Sequence, residues 1–392
     1  MNEKTQEFIQ SHLNDDVHNL SLLASQHPEV DMPLAIRQIT GKQKVETKIP
    51  TFFKCENILY PQRLSLEQSS SEITAKHKAA SCEGEVLIDL TGGFGVDCFF
   101  LSANFKHTYY VEQQKELCEL AEHNFSALGR KNITVLNEVA ENFLQKTIKA
   151  DWIYLDPARR TESGKKAVLL SDCEPDAGKL LESLLEKTDH LMIKLSPMFD
   201  IEILKRELKY IREIQIIAVE NECKEIVAIL EKSDQISVEI KTTNYPRHNA
   251  IEIFNFIQHT EQISEATYSN YLKKYLYEPN AAIMKSGAFK LISERYKIDK
   301  LHINSHLYTS DNLITDFPGR IFYIEKSYNF SKKSVKLLHS EVKKANLTVR
   351  NFPISVSELR KKLKLADGGE IYLFATTLSD NNKILIKSYK TT

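Results

Sequence analysis

A glycine-rich turn follows a short apolar run in the first third of the chain. The run Val86-Leu87-Ile88 leads directly into the segment DLTGGFGVD, which spans residues 89–97 and has glycines at positions 92, 93 and 95. Glycine adopts positive φ at little cost and carries no side chain, so the backbone of such a turn can approach a bound ligand closely. The same glycines also suit an ordinary turn between a strand and a helix. The turn alone is therefore weak evidence of a binding site.

A carboxylate further along the chain strengthens this interpretation. Glu112 ends the next β-rich run, TYYVE, 23 residues after Asp89. In that position a carboxylate can accept hydrogen bonds from both hydroxyl groups of a ribose. The two features together predict a ligand with a nucleoside part. A nicotinamide dinucleotide in a hydride-transfer enzyme satisfies the same reasoning.

The fourth β-rich run ends in a polar motif that favours a different cofactor. The segment WIYLDPARR, residues 152–160, places Asp156, Pro157 and Arg159 beside the cofactor crevice of an alternating α/β fold. Together with DLTGGFG and Glu112, it resembles the motifs of class I S-adenosylmethionine-dependent methyltransferases, in the same order across about residues 65–231. A nicotinamide enzyme is disfavoured, because the chain lacks GxGxxG and has no hydride-transfer pair near DPARR.

Five segments resemble a narrower group, the bacterial methyltransferases with a THUMP-like C-terminal domain that are related to tRNA and rRNA methyltransferases. They span nearly the whole chain and are LSLEQSSSEITAKHKA (64–79), DPARR, IKLSPMFD (193–200), NECKE (221–225) and VRNFPISVSELRKKLKLADGGEIYLFATT (349–377).

The resemblance implies S-adenosylmethionine as the cofactor and gives roles to individual residues. Glu112 would hold the ribose, and Glu138, which follows the third strand, would meet the adenine amino group. For Glu138 the alternative is a solvated carboxylate that opens the next helix. The loop around the methionine moiety would consist of Asp89, Thr91, Gly92, Gly93 and Gly95, with Thr91 replacing the first glycine of the usual DxGxGxG.

The acceptor side is predicted to be the end of the fourth strand. The sulfonium is already a strong electrophile, so the protein mainly has to align an acceptor lone pair with the S–CH₃ bond. We expect Asp156 to orient the acceptor or receive a proton, next to Pro157. Lys194, at the end of the fifth strand, should face the same crevice.

The DPARR motif departs from the Asp/Asn-Pro-Pro-aromatic motif of amino methyltransferases, since Ala158 and Arg159 replace the second proline and the aromatic residue. This departure disfavours a simple base-stacking amino methyltransferase. Arg159 can stack on a base or bind a phosphate. Alternatively, it pairs with Asp172 or Glu174 as an ordinary surface ion pair.

Cysteine and metal chemistry are both disfavoured. The six cysteines form no CxxC pair, which indicates reduced thiols rather than disulfides or a zinc site. Cys223 lies in the NECKE segment, a predicted hairpin turn, and catalysis by its thiol is not expected. The twelve histidines show no HExxH or comparable spacing, so no metal is predicted.

The elements that must position these residues form three regions. We predict a Rossmann-like α/β class I methyltransferase sheet that ends in an antiparallel hairpin. A small helical domain precedes it, and an α+β THUMP-like domain follows it. Asn14-Asp15-Asp16 and Asp31 with Pro33 are predicted to open two of the N-terminal helices. The expected ranges are 1–80 for the helical domain, 81–245 for the sheet, 246–275 for a connection and 276–392 for the basic domain.

The charge distribution suggests a polyanionic partner. Residues 276–392 contain 20 Lys and Arg against 11 Asp and Glu, whereas residues 1–275 contain 32 against 42. A basic domain attached to an acidic one fits RNA binding, although a solvated lysine-rich surface is an equally ordinary explanation. The predicted RNA contacts are Lys332, Lys333, Lys336, Lys343 and Lys344, which flank one predicted helix, SKKSVKLLHSEVKKAN (331–346).

The combined prediction is methyl transfer from S-adenosylmethionine to a base of RNA, with tRNA favoured over rRNA. The alternatives are a catalytically silent RNA-binding or assembly factor that retains the fold, and a methyltransferase with a non-RNA substrate. No run of 18 or more apolar residues occurs, and the N-terminus lacks the apolar region of a signal peptide. The sequence thus predicts a cytoplasmic protein with no membrane partner.

Overall fold

The computed structural model describes residues 2–147, 149–159, 169–233 and 237–391. Its α-helices, in chain order, are α1 (Glu3–Ser11), α2 (Val17–Leu22), α3 (Met32–Lys48), α4 (Pro50–Lys54), α5 (Arg63–Gln68), α6 (Glu72–Ala79), α7 (Val96–Leu101), α8 (Lys115–Ala127), α9 (Ala140–Lys146), α10 (Ala177–Lys187), α11 (Ile201–Glu207), α12 (Gln258–Ile263), α13 (Ala281–Ser286), α14 (Leu291–Tyr296), α15 (Lys332–Glu341) and α16 (Val356–Leu363). Short 3₁₀ helices are formed by Ala24–Gln26, Ser102–Asn104 and Leu170–Asp172.

The strands, in chain order, are β1 (Gly84–Asp89), β2 (Phe105–Glu112), β3 (Ile133–Asn137), β4 (Ala150–Leu155), β5 (Ala158–Arg159), β6 (Cys173–Glu174), β7 (Thr188–Leu195), β8 (Ile211–Val219), β9 (Glu222–Leu230), β10 (Glu239–Tyr245), β11 (Glu252–Ile257), β12 (Tyr275–Pro279), β13 (Asp299–Lys300), β14 (Tyr308–Ser310), β15 (Gly319–Asn329), β16 (Asn346–Val349), β17 (Ile371–Thr377) and β18 (Lys383–Lys390).

The N-terminal helices begin where the sequence predicts helix starts. Asp16 caps α2 by accepting hydrogen bonds from the backbone N–H groups of His18 and Asn19. Asp31 caps α3 by accepting one from Leu34, with proline in the first turn. Such side-chain acceptors satisfy backbone donors that have no partner within the helix. A small apolar core then holds α1, α2 and α3 together, formed by Phe8, Leu20, Met32, Ala35 and Ile39.

One sheet of nine strands positions the predicted site, with the strand order β11-β10-β8-β9-β7-β4-β1-β2-β3. Neighbouring strands from β3 to β7 are parallel, and β9 runs antiparallel to β7. The last four residues of β4 are all buried, as expected when helices cover both faces of a parallel sheet. Because parallel strands end at the same edge, the residues that follow β1, β2, β4 and β7 come together there.

The final hairpin predicted from the sequence is present. Only Glu220 and Asn221 connect β8 to β9, and their φ angles are 52° and 63°. Two successive residues with positive φ form the tight turn that suits the twist of an antiparallel hairpin. Two strands then extend the sheet beyond the hairpin: β10 pairs parallel to β8, and β11 pairs antiparallel to β10. The segment 246–275, predicted to be a connection, therefore contains β11 and α12.

The chain divides into two compact units. One consists of Met1–Arg212 and Glu225–Gln235, and the other of Glu213–Lys224 and Ile236–Thr392. The domain boundaries at residues 80, 245 and 275 remain predictions. In the second unit a seven-stranded sheet has the order β13-β14-β12-β15-β18-β17-β16, in which β16 and β17 are parallel and the other neighbours antiparallel. Among the described residues, no helix is long and apolar enough to cross a lipid bilayer.

Candidate functional site

The glycine turn after β1 combines two different constraints. A side chain at Gly92 would collide with the ring of Tyr110, since a Cβ would lie 2.2 Å from the nearest ring atom. Gly93 and Gly95 have φ angles of 54° and 83°, which disfavour other residues. At Gly93 the nearest atom to a Cβ would be the carbonyl oxygen of Thr91, 3.7 Å away. Packing therefore requires glycine at position 92, whereas backbone conformation favours it at position 93, where the adjoining space is open.

Thr91 connects the glycine turn to the end of β4. Its hydroxyl oxygen accepts a hydrogen bond of 2.6 Å from the backbone N–H of Asp156. Its own backbone N–H donates to the Asp89 carboxylate over 3.0 Å. Asp89 is buried, and burial raises the pKa of its carboxyl group well above the usual value. The threonine that replaces a glycine of the family pattern thus joins the predicted cofactor turn to the predicted acceptor motif.

Glu112, at the end of β2, also holds the glycine turn. Its carboxylate accepts hydrogen bonds from the backbone N–H groups of Gly93 (2.9 Å) and Gln114 (2.8 Å). Glu138 lies next to it, because the backbone N–H of Glu138 donates to the carbonyl oxygen of Glu112. The Glu138 carboxylate forms an ion pair of 2.6 Å with Lys146. The structure places both glutamates at the same edge of the sheet, and their roles towards ribose and adenine stay predictions.

Asp156 and Lys194 form the ion pair at the centre of the site. The Lys194 ammonium donates to Asp156 Oδ2 over 2.5 Å. The Asp156 side chain is 33% exposed, whereas that of Lys194 is 11% exposed. Burial raises the pKa of the Asp156 carboxyl group, and Lys194 opposes this shift. Burial alone would lower the pKa of Lys194, but the carboxylates of Asp156, Asp97 and Glu225 reverse the effect and raise it.

Beyond Pro157, the described part of the DPARR motif lies at the surface. Pro157 is buried, while Ala158 and Arg159 are exposed and form the two-residue strand β5. This strand pairs antiparallel with β6, so that Arg159 lies opposite Cys173. Arg160, the last residue of the motif, lies outside the described residues.

A group of buried charges beneath the ion pair was not recognised in the sequence. Lys78, on α6, contacts the carboxylates of Asp97 on α7 and Glu225 on β9. Asp97 also accepts hydrogen bonds from the hydroxyl groups of Ser70 and Tyr154. Lys78, Asp97 and Glu225 lie within the quoted motifs LSLEQSSSEITAKHKA, DLTGGFGVD and NECKE, but their separation along the chain hides their proximity.

One lysine of the N-terminal helices, Lys48, also interacts electrostatically with the site. Lys48, the last residue of α3, donates to the carbonyl oxygens of Leu66 (2.7 Å) and Glu67 (3.0 Å) near the end of α5. Burial and the neighbouring Lys194 lower the pKa of Lys48 to about 8. The helical region therefore supplies part of the electrostatic surroundings of the sheet edge.

The five lysines predicted to bind RNA are exposed. Lys332, Lys333 and Lys336 lie on α15, and Lys343 and Lys344 follow that helix. Phe374, an aromatic residue of the same basic region on β17, is fully buried and packs against Phe322, so it belongs to the core. None of the six cysteines, all of which lie in the described ranges, forms a disulfide bond. In the described part of the chain, no group of three or more His, Cys, Asp or Glu side chains could hold a metal ion.

Comparison with known proteins establishes the family. Over its whole length the chain is similar to a protein from Porphyromonas gingivalis W83 whose crystal structure is that of a "putative methyltransferase". The sequences are 32% identical, the match covers 100% of both chains, and the TM-score is 0.88. The chain belongs to this methyltransferase family. Residues 275–318 match the model of a ferredoxin-like domain, and residues 319–387 match a THUMP domain-like model. The family and fold class predicted from the sequence are thereby confirmed.

Two other solved structures match only part of the chain. An rRNA methylase from Streptococcus thermophilus is 18% identical, with 41% of this chain and 94% of that chain covered and a TM-score of 0.31. TrmN from Thermus thermophilus is 16% identical, with 47% and 52% covered and a TM-score of 0.33. No curated protein matches the sequence.

Proposed function

We propose that the protein transfers a methyl group from S-adenosylmethionine to a base of RNA, with tRNA as the preferred substrate over rRNA. The observation that carries this proposal is the Asp156–Lys194 pair at the carboxyl edge of the sheet. The Asp156 side chain is partly exposed, and the backbone N–H of Asp156 donates to the hydroxyl oxygen of Thr91 in the glycine turn. A cofactor turn and an acceptor-side aspartate joined in this way fit a group-transfer reaction in which two ligands meet.

The residues of the glycine turn fit the methionine and ribose parts of the cofactor. The space at Gly93 is open, so the backbone can approach a ligand there. Each oxygen of Glu112 accepts one backbone hydrogen bond and retains a lone pair for a ribose hydroxyl. Asp89, Thr91, Gly92 and Gly95 would complete the binding loop, and Glu138 would reach the adenine. When bound, S-adenosylmethionine supplies an electrophilic methyl group.

Asp156 is the residue that would act on the acceptor. It accepts the proton that an amino or ring nitrogen loses on methylation, or orients that nitrogen by accepting its hydrogen bond. Lys194 holds the carboxylate in place through the 2.5 Å contact. A raised pKa brings a carboxylate closer to the working pH of a general base. Pro157 would fix the turn that follows, and Arg159, which is exposed, would stack on a base or bind a phosphate.

RNA is the substrate class that the second unit supports best. Residues 319–387 match a THUMP domain-like model, and this segment contains the exposed lysines 332, 333, 336, 343 and 344. Lysines of this kind neutralise phosphates without reading the base sequence. A reactive base would have to be unpaired or flipped out to reach the carboxylate of Asp156.

The direct test is methyl transfer by the purified full-length chain. RNA from cells with and without the gene is compared by mass spectrometry of its nucleosides, and RNA lacking the modification is then methylated in vitro with radiolabelled S-adenosylmethionine. Asp156→Asn should reduce turnover by at least about 100-fold, because a positioned general base contributes roughly 10²–10⁴-fold. Calorimetry should show nearly unchanged affinity for S-adenosylmethionine, since Asp156 lies on the acceptor side.

Asp189→Asn is the matched control. Asp189 lies at the other end of β7 from Lys194, and its side chain is 79% exposed. This variant should turn over at the wild-type rate. An Asp156→Asn enzyme with wild-type turnover would contradict the assigned role. Tight RNA binding without any cofactor binding would instead identify a catalytically silent RNA-binding factor.

A further inference from the structure

Five charged side chains of alternating sign form a continuous series of contacts in the first unit, and the series ends at Asp156. Lys78 contacts Glu225 and lies 3.1 Å from Asp97 Oδ1. Lys194 lies 3.9 Å from Asp97 Oδ2 and 2.5 Å from Asp156 Oδ2. The sequence of contacts is thus Glu225–Lys78–Asp97–Lys194–Asp156.

The solvent-exposed fraction of the side chain increases along this series from Lys78 to Asp156. The Lys78 side chain is 0% exposed and that of Glu225 is 3% exposed, while Asp97 and Lys194 reach 9% and 11%. Asp156 is 33% exposed. Four charges are therefore buried behind one that meets the open edge of the sheet. Buried ion pairs contribute little net stability, because desolvation offsets their attraction. A specific role for these charges is therefore a better explanation than a gain in stability.

Hydrogen bonds hold Asp97, the middle group of the series, in place. Asp97 Oδ2 accepts from the hydroxyl of Ser70 (2.7 Å) and from the hydroxyl of Tyr154 (2.8 Å). Tyr154 lies on β4, two residues before Asp156. The Asp97 carboxylate is thus fixed from two directions. Lys194 lies closer to Asp156 (2.5 Å) than to Asp97 (3.9 Å).

We propose that Asp97 and the Lys78–Glu225 pair are positioning residues, which act through Lys194 to hold the Asp156 carboxylate in its reactive orientation and to set its affinity for a proton. This inference rests on the proposed function. None of the three residues touches substrate or cofactor in this scheme. Their action is electrostatic, because charges at these distances within a protein interior interact strongly.

Asp97 and Lys78 should shift the pKa of Asp156 in opposite directions. The negative charge of Asp97 raises the pKa of Asp156, and the positive charge of Lys78 lowers it. The charged and titratable groups that face Asp156 or Lys194 from the surrounding elements are Asp89 (β1), Asp97 (α7), Lys78 (α6), Glu225 (β9), Lys48 (α3), Tyr154 (β4) and Cys173 (β6).

The test compares pH–rate profiles of two full-length variants. A base must be ionised, so the rate falls as the pH drops through the pKa of Asp156. Asp97→Asn removes the negative neighbour, and the acid limb should move to lower pH by on the order of one unit. The double variant Lys78→Gln/Glu225→Gln removes a matched pair without leaving a buried charge unpaired, and its acid limb should move to higher pH. Both variants should lose about tenfold in kcat, with the KM for S-adenosylmethionine unchanged.

A second readout separates this inference from the proposed function. The ¹³C signal of the Asp156 carboxyl group, assigned with Asp156→Asn, follows its titration in aspartate-labelled protein without any substrate. Opposite shifts of this titration in the two variants support the positioning role, even if no RNA is methylated. Lys106→Gln/Glu85→Gln removes an exposed ion pair of the same type and should change neither the titration nor the rate. Folded variants that titrate like the wild type, or shift in the same direction, would overturn the inference.

Discussion

At the scale of single residues, the glycine turn separates a structural requirement from a functional one. Gly93 and Gly129 both have positive φ, 54° and 70°, and both have open space where a Cβ would be. Valine at either position should therefore cost a similar amount of stability, roughly 1–3 kcal/mol for a non-glycine residue in that conformation. Only Gly93→Val places its side chain where the cofactor is proposed to bind.

We predict that Gly93→Val loses most of its affinity for S-adenosylmethionine, while Gly129→Val binds like the wild type. Isothermal calorimetry measures the affinities, and urea unfolding measures the two stabilities. Equal affinities for the two variants would remove the turn from the cofactor site. A change at Gly92 could not make this distinction, since any side chain there displaces Tyr110.

The sequence located the exposed end of the site but not its buried support. Glu112 ends a β-rich run, and Asp156 and the glycines follow such runs closely, so the edge at which parallel strands end brings them together. Lys78 and Glu225 are 147 positions apart, and each resembles an ordinary charge on a helix or strand. Nothing in their spacing predicts a contact, because that contact depends on how α6 packs beside β9. The bond from Asp156 to Thr91 was missed for the same reason.

At the scale of elements, adjacent serines before α6 have different tasks. Ser71 caps the helix by accepting a hydrogen bond from the backbone N–H of Thr74, whereas Ser70 bonds to Asp97. We expect Ser71→Ala to lower the free energy of unfolding by about 1 kcal/mol, the usual value for a lost N-cap. Methyl transfer should be unchanged.

Ser65→Ala is the control for this prediction. Ser65 lies within α5, where alanine is the better helix former, so this change should be neutral or slightly stabilising. Urea unfolding and an initial-rate assay measure both variants. Loss of turnover in Ser71→Ala at unchanged stability would instead assign Ser71 to the cofactor.

Elements with strong local signals were predicted, and those without were not. The hairpin between β8 and β9 follows from the short link between two β-rich runs, and the capped helices follow from Asp16 and Asp31. Strand β11 escaped prediction because its side chains alternate between buried Phe254 and Phe256 and exposed Ile253 and Ile257. Asn255 is the single polar residue between these two isoleucines on the exposed face, so the polar contrast on which strand prediction depends is weak.

At the scale of the whole molecule, a net charge near zero conceals an uneven distribution of basic and acidic residues along the chain. The chain carries a formal charge of −1, yet residues 276–392 carry 20 basic and 11 acidic side chains. The same part of the chain contains the matches to the ferredoxin-like and THUMP domain-like models. Deleting it would not give a clean test, because the second compact unit also includes Glu213–Lys224 and the residues from Ile236 onwards. Charge reversal within the full chain is therefore the better experiment.

If the lysines of α15 bind phosphates, RNA affinity must fall steeply with salt, because each neutralised phosphate releases condensed counterions. For about 4–6 contacts the log–log slope should be on the order of −3 to −5. Changing Lys332, Lys333 and Lys336 to glutamate should flatten this slope and weaken the binding of all RNAs about equally, since phosphate contacts carry no sequence information.

The matched control changes Lys106, Lys115 and Lys149, exposed lysines of the first unit, to glutamate. Fluorescence titrations at several salt concentrations decide the matter. Equal slopes for the two triple variants would show that the excess of lysine serves solubility rather than RNA binding. An unchanged calorimetric affinity for S-adenosylmethionine in both would show that the first unit remained intact.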